Sequence, residues 1–222
     1  MKVKAIISAL MLMACGMASA QTKTYLNVET APGVYKSFEV NENLKISWGE
    51  KKEVPPTKGT AKRTGDIDVN WVQLWADGPK FAEYNVGASS ATDLGITMTF
   101  TEATSAEYVW GANWCTPSKD DMEHLMTAAM GVTDDKVKCE YTQENSIWGF
   151  KFTGLTDGYT GNSVFFPAQG GDSDFGYADY WSATADGSKA WYMELSYYEG
   201  EWFSDWYSGA QSHDCLVRPV LK

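Results

Sequence analysis

The chain has 222 residues, of which 44% are hydrophobic and 14% aromatic, and its formal net charge at pH 7 is -11. This length suits one main domain of about 150 residues with an N-terminal extension, and such a domain can bury a core without disulfides or metals. The acidic balance excludes proteins that bind nucleic acids through basic surfaces. Ten tryptophans indicate aromatic packing, an aromatic binding surface, or both.

Residues 1–20 have the features of a signal peptide. Lys2 and Lys4 provide a basic start, an apolar run covers residues 5–17, and Ala18-Ser19-Ala20 is a typical cleavage site before Gln21. The apolar run is too short to cross a membrane as a helix. We therefore predict an exported protein, located at the cell surface, in the periplasm or outside the cell.

A lipoprotein signal is the alternative interpretation of the same segment. Leu12-Met13-Ala14-Cys15 resembles a bacterial lipobox with Cys15 as the lipidated residue, although Met13 fits that motif poorly. No membrane insertion is predicted unless the chain is lipidated at Cys15. Both interpretations lead to export.

Short alternating runs follow in residues 21–48. Apolar and polar residues alternate over 24–30 and 37–40 around the turn signal Ala31-Pro32-Gly33, and 44–48 is a third run, so we predict a β-hairpin segment. A hairpin of this size is not stable alone and should pack on another element or pair with a partner's edge. Residues 49–65 are rich in lysine, glycine and proline, and we predict a linker there.

The main domain is predicted over residues 66–222. Strands are indicated at 71–75 and 81–87, and residues 89–107 are predicted as a loop with one strand near 96–100. Beyond the helix described next, a hairpin is predicted over 139–153 and a buried strand over 163–168. Two or three further strands are predicted over 180–222.

The clearest helix begins after Ser118. Ser118 is a typical N-cap, Asp121 occupies the capping-box position, and Gly131 is a natural end of the helix. The apolar face is formed by residues with helical spacing, which are Met122, Leu125, Met126 and Ala129. His124 lies off that face and is expected to be exposed.

A loop of aromatic and acidic residues is predicted over 199–212. Rigid aromatic anchors among adaptable polar residues are typical of a binding surface. About half of the aromatic side chains should enter the core, because Trp202 and Ser204 would share one strand face and Phe203 and Asp205 the other. The predicted ligand-binding residues are Tyr198, Glu201, Trp202, Asp205, Trp206 and Tyr207.

Neither catalysis nor a cofactor is predicted. Glu199 and Glu201 could in principle form an acid/base pair, but nothing in the sequence sets the distance between them. His213 and Cys215 would share one face of a strand, but we assign no catalysis to this pair. Asp172 and Asp174 could hold a hard cation, although a solvated turn is the simpler interpretation.

The cysteines beyond the signal segment are Cys115, Cys139 and Cys215, whose spacing is unlike that of zinc ligands. They are expected to form one bridge with a thiol left over, or to be buried free thiols.

Six segments along residues 66–222 carry a resemblance to a known family. They are residues 81–88, 114–118, 149–154, 162–168, 180–184 and 217–220. In this order they resemble the Fibrobacter succinogenes major paralogous domain family, which has a C-type-lectin-like fold related to that of formylglycine-generating enzymes and occurs in exported Bacteroidetes proteins. The resemblance implies an α+β domain with a looped antiparallel sheet and one or two helices. It implies no fixed activity, since relatives are thought to bind or adhere.

The sequence also departs from the family's pattern. Cys115 and Thr116 replace an arginine and a Leu or Met, and within this resemblance Cys115 could form a disulfide with Cys215 that ties the helix start to the last strand. The sugar–calcium motifs of true C-type lectins are absent from the sequence. We therefore predict an exported, non-catalytic domain that binds a glycan or a protein ligand, and the alternative is a structural or adhesin subunit of a surface assembly.

Overall fold

The structure of the protein, a computed structural model, describes residues 25–31, 34–39 and 56–222. The chain forms two compact units, Met1–Val54 and Pro55–Lys222. The predicted signal peptide, the alternative lipidation site Cys15 and the third run at 44–48 lie outside the described residues. Among the helices of the described part, none has both the length and the apolar character needed to cross a membrane.

In the first unit, β1 (Tyr25–Ala31) and β2 (Val34–Glu39) form an antiparallel pair. The register runs from Tyr25 opposite Glu39 to Ala31 opposite Val34. The N-terminal hairpin prediction is confirmed for these two strands.

The second unit contains thirteen strands and two short helices among its described residues. The strands are β3 (Lys58–Arg63), β4 (Ile67–Gln73), β5 (Lys80–Ala82), β6 (Trp114–Cys115), β7 (Val137–Glu144), β8 (Ile147–Gly154), β9 (Ser163–Pro167), β10 (Gly170–Gly171), β11 (Phe175–Asp186), β12 (Lys189–Tyr198), β13 (Glu201–Trp202), β14 (Asp205–Ala210) and β15 (Val220–Leu221). The helices are α1 (Phe100–Ala103) and α2 (Glu123–Ala129).

These strands form three antiparallel sheets. One has the order β3-β4-β5-β15-β6, a second has the order β7-β8-β9, and a third has the order β10-β11-β12 with β13 and β14 both pairing with β12. The predicted architecture of looped antiparallel sheets with one or two helices is confirmed at this level. The fold is mainly β rather than an even mixture of α and β, because the helices are only four and seven residues long.

The linker prediction for residues 49–65 is wrong over β3. This strand pairs with β4, and the ring of Trp71 lies so close to Gly59 that an added Cβ would be 2.7 Å from it. Lys58, Thr60 and Lys62 are exposed, and β3 is the edge of its sheet. Lysines protect exposed edges from unwanted pairing, so an edge strand can have the composition of a linker.

The predicted capping box at Ser118 is present, but it precedes a 3-10 turn, and α2 itself begins later, at Glu123, without a side-chain cap. Ser118 N and Oγ donate to Asp121 Oδ2 at 2.8 and 2.7 Å, and Asp121 N donates to Ser118 Oγ at 3.1 Å. A 3-10 turn at Asp120–Met122 precedes α2. The loop prediction for 89–107 missed α1, which has its own capping box between Thr99 and Glu102.

A buried arginine joins the sheets. Arg218 is fully buried, and its guanidinium donates to Asn85 Oδ1 at 2.8 Å and to the carbonyl oxygens of Ala82, Glu83 and Phe165 at 3.1, 2.6 and 2.7 Å. It also lies 4.7 Å from the centre of the Phe166 ring. Burial lowers the pKa of Arg218 to about 10, which leaves it charged at neutral pH.

The predicted disulfide between Cys115 and Cys215 is absent, because both are free thiols, as is Cys139. Cys115 lies on β6 opposite Val220, whereas the backbone of Cys215 pairs with Met98. The start of the helical segment is thus tied to the last strand by main-chain pairing. Burial raises the pKa of all three thiols, which disfavours the reactive thiolate.

Candidate functional site

One side of the third sheet is turned away from the main core, although Trp181 at one end of this side is fully buried in a second core cluster against which Tyr192 packs. Asp179, Glu194 and Asp205 are directly opposite one another on β11, β12 and β14, and residues opposite in register share a face. The neighbouring row, Tyr180 with Met193 and Trp206, belongs to the core side. We call the accessible aromatic and acidic residues of this side the aromatic–acidic face, and they are Phe175, Tyr177, Asp179, Tyr192, Glu194, Tyr198, Glu201, Asp205 and Tyr207.

The three carboxylates have little compensating positive charge. His213 Nε2 lies 3.7 Å from Asp179 Oδ2, and in the described part of the chain no lysine or arginine forms an ion pair with any of the three. The Asp179 side chain is only 18% exposed, and its Oδ1 is buried without a hydrogen-bond partner among the described residues. The row therefore has unused capacity to accept hydrogen bonds or to neutralise a cation.

Burial and mutual repulsion act on these acids. Burial raises the pKa of Asp179, and the nearby His213 partly opposes this effect. Burial also raises the pKa of Glu194, and the charges of Asp179 and Asp205 raise it further. In both cases the protein holds a carboxylate where its charged form is disfavoured.

An aromatic cluster lies beside the acid row. Tyr192 stacks with Tyr207, with ring centroids 5.9 Å apart, and lies 5.3 Å from the ring of His213. Burial, followed by the charges of Asp179 and Glu194, raises the pKa of Tyr192 to about 12, so its hydroxyl stays protonated and can donate. Tyr207 is 43% exposed, and this cluster therefore presents an accessible ring next to carboxylates.

The other end of the face is also aromatic. Phe175 and Tyr177 lie with ring centroids 5.8 Å apart, and Tyr198 is opposite Phe175 on β12. All three are large side chains left exposed. Exposed aromatic patches bordered by polar groups are typical of interaction surfaces.

The predicted loop over 199–212 is largely strand. The chain turns at Glu199 and Gly200, both with positive φ of 48° and 92°, and returns along β12 as β13 and β14. The predicted alternation is confirmed, because Phe203 is 56% exposed whereas Trp202 is half-buried. Glu199 and Glu201 are exposed at the turn, where nothing fixes their separation for acid/base chemistry.

Four of the six predicted ligand-binding residues lie together on the aromatic–acidic face, namely Tyr198, Glu201, Asp205 and Tyr207. The other two do not. Trp202 and Trp206 are half-buried and pack against the core on the other side of their strands, and their predicted role as ligand contacts stays a prediction.

The environments of these tryptophans explain their position. Trp202 contacts Phe150 and Tyr197, and Trp206 Nε1 donates to Glu123 Oε2 at 3.2 Å.

The residues that sequence reasoning missed are Phe175, Tyr177, Asp179, Tyr192, Glu194 and His213. A signal for two of them was present, because the core-facing alternation of 191, 193, 195 and 197 implies that Tyr192 and Glu194 occupy the opposite face. No local pattern identifies Asp179, since its place beside Glu194 depends on the register between β11 and β12.

The Asp172 and Asp174 segment forms a turn. Asp172 Oδ1 accepts from the backbone N–H groups of Asp174 and Phe175 at 2.9 and 3.0 Å, which is an Asx-turn. The solvated-turn interpretation therefore accounts for Asp172 without a cation. His124, predicted to be exposed, is instead partly buried and paired with Asp134.

Comparison of the chain with protein-family models, with curated proteins and with solved structures finds no match.

We expect Glu194→Gln to stabilise the protein at pH 7 and to have little effect near pH 3. Because the folded-state pKa of Glu194 is raised, the folded protein binds the proton more tightly than the unfolded chain does, and stability falls as pH rises from about 4 through the folded pKa. Glutamine removes that penalty. Melting temperatures at the two pH values measure the effect; Glu201→Gln, at the exposed turn, is the control. A loss of stability at pH 7 would contradict this account of the charge.

Proposed function

We propose that the protein is an exported, non-catalytic binding protein that acts at the cell surface. Its aromatic–acidic face recognises a glycan or a protein ligand. The observation that carries the proposal is the row of Asp179, Glu194 and Asp205 across three strands, flanked by accessible tyrosines and left without lysine or arginine partners in the described part of the chain. A protein gains no stability from placing acids in this way, so a binding role is the simplest reason for their presence.

The chemistry of the face suits both ligand classes. Tyrosine rings offer rigid apolar area together with a hydroxyl, and they lose little conformational entropy on binding. The carboxylates accept hydrogen bonds from sugar hydroxyls or from the N–H groups of a protein. The export signal predicted over residues 1–20 supports a ligand outside the cytoplasm.

We also propose that the main domain has the C-type-lectin-like fold that the family resemblance implies. The proposal draws on the network around Arg218, which joins four of the six resembling segments through Asn85, Phe165, Tyr180 and Arg218 itself. These residues are buried, whereas the aromatic–acidic face lies mostly outside the six segments. The residues of the six segments would thus build the scaffold, and the aromatic–acidic face would determine which ligand is bound.

An array of glycans and exported proteins, with and without calcium, is the first test of the binding function. We expect a specific signal that Tyr207→Ala and Asp205→Asn each weaken at least about tenfold, because these are exposed contact groups whose loss does not open the core. Their effect is measured as the dissociation constant of the ligand that the array identifies.

Matched controls lie elsewhere on the surface. Tyr108→Ala removes a tyrosine of similar exposure, and Asp157→Asn removes an exposed acid; both should bind as the unchanged protein does. Binding that survives Tyr207→Ala and Asp205→Asn would overturn the assignment of the face. A folded protein with no signal on the array would favour the alternative function.

The alternative function is a structural or adhesin subunit, and one observation favours it. The N–H of Gly154 donates to the carbonyl of residue 162, and the carbonyl of Trp148 accepts from the N–H of residue 168. The backbone N–H and C=O groups of the even-numbered residues of β9 therefore point towards β8. The backbone of Ser163 therefore points to the other side, into a groove of about 500 Å³.

That groove offers an extended partner segment only the open start of this strand edge, because further along the same side the carbonyls of Phe165 and Pro167 already accept from Arg218 and Tyr180. Its lining includes Lys58, Thr60, Asn70, Glu83 and Ser163. Concentration-dependent assembly in analytical ultracentrifugation would support the subunit function, and a monomer at all concentrations would oppose self-assembly.

A further inference from the structure

A histidine and two aspartates converge at the junction between α2 and β7. One nitrogen of His124 and one oxygen each of Asp134 and Asp135 all lie within 4.8 Å of one another. His124 is on α2, and the two aspartates lie in the connection that leads into β7. These residues are not members of the aromatic–acidic face.

The central carboxylate is held in place by the backbone. Asp134 Oδ1 accepts from the N–H groups of Lys136 and Val137 at 2.7 and 3.0 Å, and its side chain is only 6% exposed. Its second oxygen, Oδ2, is thereby directed at His124 Nδ1, 2.8 Å away. Hydrogen bonds of this kind orient the ligands of protein metal sites.

The imidazole is also fixed. The ring of His124 packs edge-on against Trp75, with centroids 5.1 Å apart and planes at 69°. A carboxylate can only accept, so Nδ1 carries the proton that it shares with Asp134 Oδ2. Ligands of a tetrahedral zinc ion are about 3.3 Å apart for bonds of about 2.0 Å. A shift of about half an ångström from the hydrogen-bonded separation would therefore let a metal ion replace that proton.

The third ligand is accessible. Asp135 is 77% exposed, and its carboxylate forms an ion pair with Lys136 Nζ at 2.9 Å. An exposed ion pair of this type contributes little free energy, so a divalent cation can displace it. Solvent on this side supplies the remaining coordination position.

We propose that His124, Asp134 and Asp135 form a binding site for a divalent metal ion of the zinc class, with water completing the coordination shell. One imidazole with two carboxylates suits Zn²⁺, whereas Ca²⁺ and Mg²⁺ prefer shells made only of oxygen. The bound ion would connect α2 to the start of β7. The released Nδ1 proton passes to solvent, and no other bond changes.

Titration of the metal-free purified protein with ZnCl₂ in a calorimeter tests the site. We expect one Zn²⁺ per chain with micromolar affinity, a rise in melting temperature on zinc addition, and no saturable binding of CaCl₂. Asp135→Asn should weaken zinc binding at least about tenfold while leaving the metal-free melting temperature unchanged, because the side chain is exposed. His124→Gln should also weaken it, with circular dichroism as the check on its fold.

The other histidine is the matched control. His213→Gln removes an imidazole that lies beside the aromatic–acidic face, next to Asp179 and Tyr192, and this variant should bind Zn²⁺ as the unchanged protein does. The site is overturned by an absence of saturable zinc binding, by binding that Asp135→Asn leaves intact, or by binding that is lost in His213→Gln and kept in His124→Gln. None of these results bears on ligand binding by the aromatic–acidic face, so the two proposals fail or stand separately.

Discussion

Replacing Arg218 with methionine is expected to destabilise the protein by at least about 4 kcal/mol, which would unfold much of it at 37 °C. The guanidinium supplies the hydrogen bonds of three buried acceptors, which are the carbonyl oxygens of Ala82 and Phe165 and the side-chain oxygen of Asn85, and of the partly buried carbonyl oxygen of Glu83. Methionine fills a similar volume but leaves these acceptors unsatisfied. Each such group costs about 1–3 kcal/mol.

Urea denaturation followed by tryptophan fluorescence measures this loss. Arg218→Lys is the informative second variant, because lysine keeps the charge but lacks the planar fork that reaches several acceptors at once. It should be clearly less stable than the unchanged protein and more stable than Arg218→Met. Lys189→Met, an exposed change on β12, should have no measurable effect. An Arg218→Met protein with the same free energy of unfolding as the unchanged protein would show that the Arg218 hydrogen bonds do not stabilise the fold.

Trp202→Ala is expected to cost about 2–3 kcal/mol of stability rather than to act on binding alone. Its indole packs against Phe150 and Tyr197, with centroids 6.3 and 5.4 Å away. It also covers Gly131, where an added Cβ would be 2.9 Å from the ring. Truncating a fully buried tryptophan costs about 3–5 kcal/mol, and the half-exposed position of this ring reduces that figure.

The adjacent residue provides the control for this prediction. Phe203 is more than half exposed, so Phe203→Ala should leave the free energy of unfolding within about 0.5 kcal/mol of the unchanged value. The two variants together test which of these adjacent side chains, Trp202 or Phe203, faces the core. Equal stability of Trp202→Ala and Phe203→Ala would contradict the placement of Trp202 and return it to the set of possible ligand contacts.

Local features of the fold were readable from the sequence. The capping box at Ser118 and Asp121, the paired strands 25–31 and 34–39 and the alternation at 202–205 depend on residues close in the chain, and the structure agrees with each. Their signals come from backbone hydrogen-bonding needs and from the two-residue period of a strand, which act over a few residues.

The candidate site was only partly predictable. Tyr198, Glu201, Asp205 and Tyr207 were identified from composition, but composition assigned Trp202 and Trp206 to the same surface. Tryptophan is equally suited to a core and to a binding surface, so its chemistry alone does not decide between them. The packing of the core around each indole decided between these two positions.

The sequence by itself determined the capped helix and the alternating pattern of the last strands, because both depend on neighbouring residues. Tertiary structure alone decided that Asp179 lies beside Glu194, since that contact depends on strand register. It also decided that lysine-rich residues 58–63 form an edge strand and that Cys115 pairs with Val220 rather than bonding to Cys215. Contacts between distant parts of a chain depend on how whole sheets pack, and no local pattern encodes that.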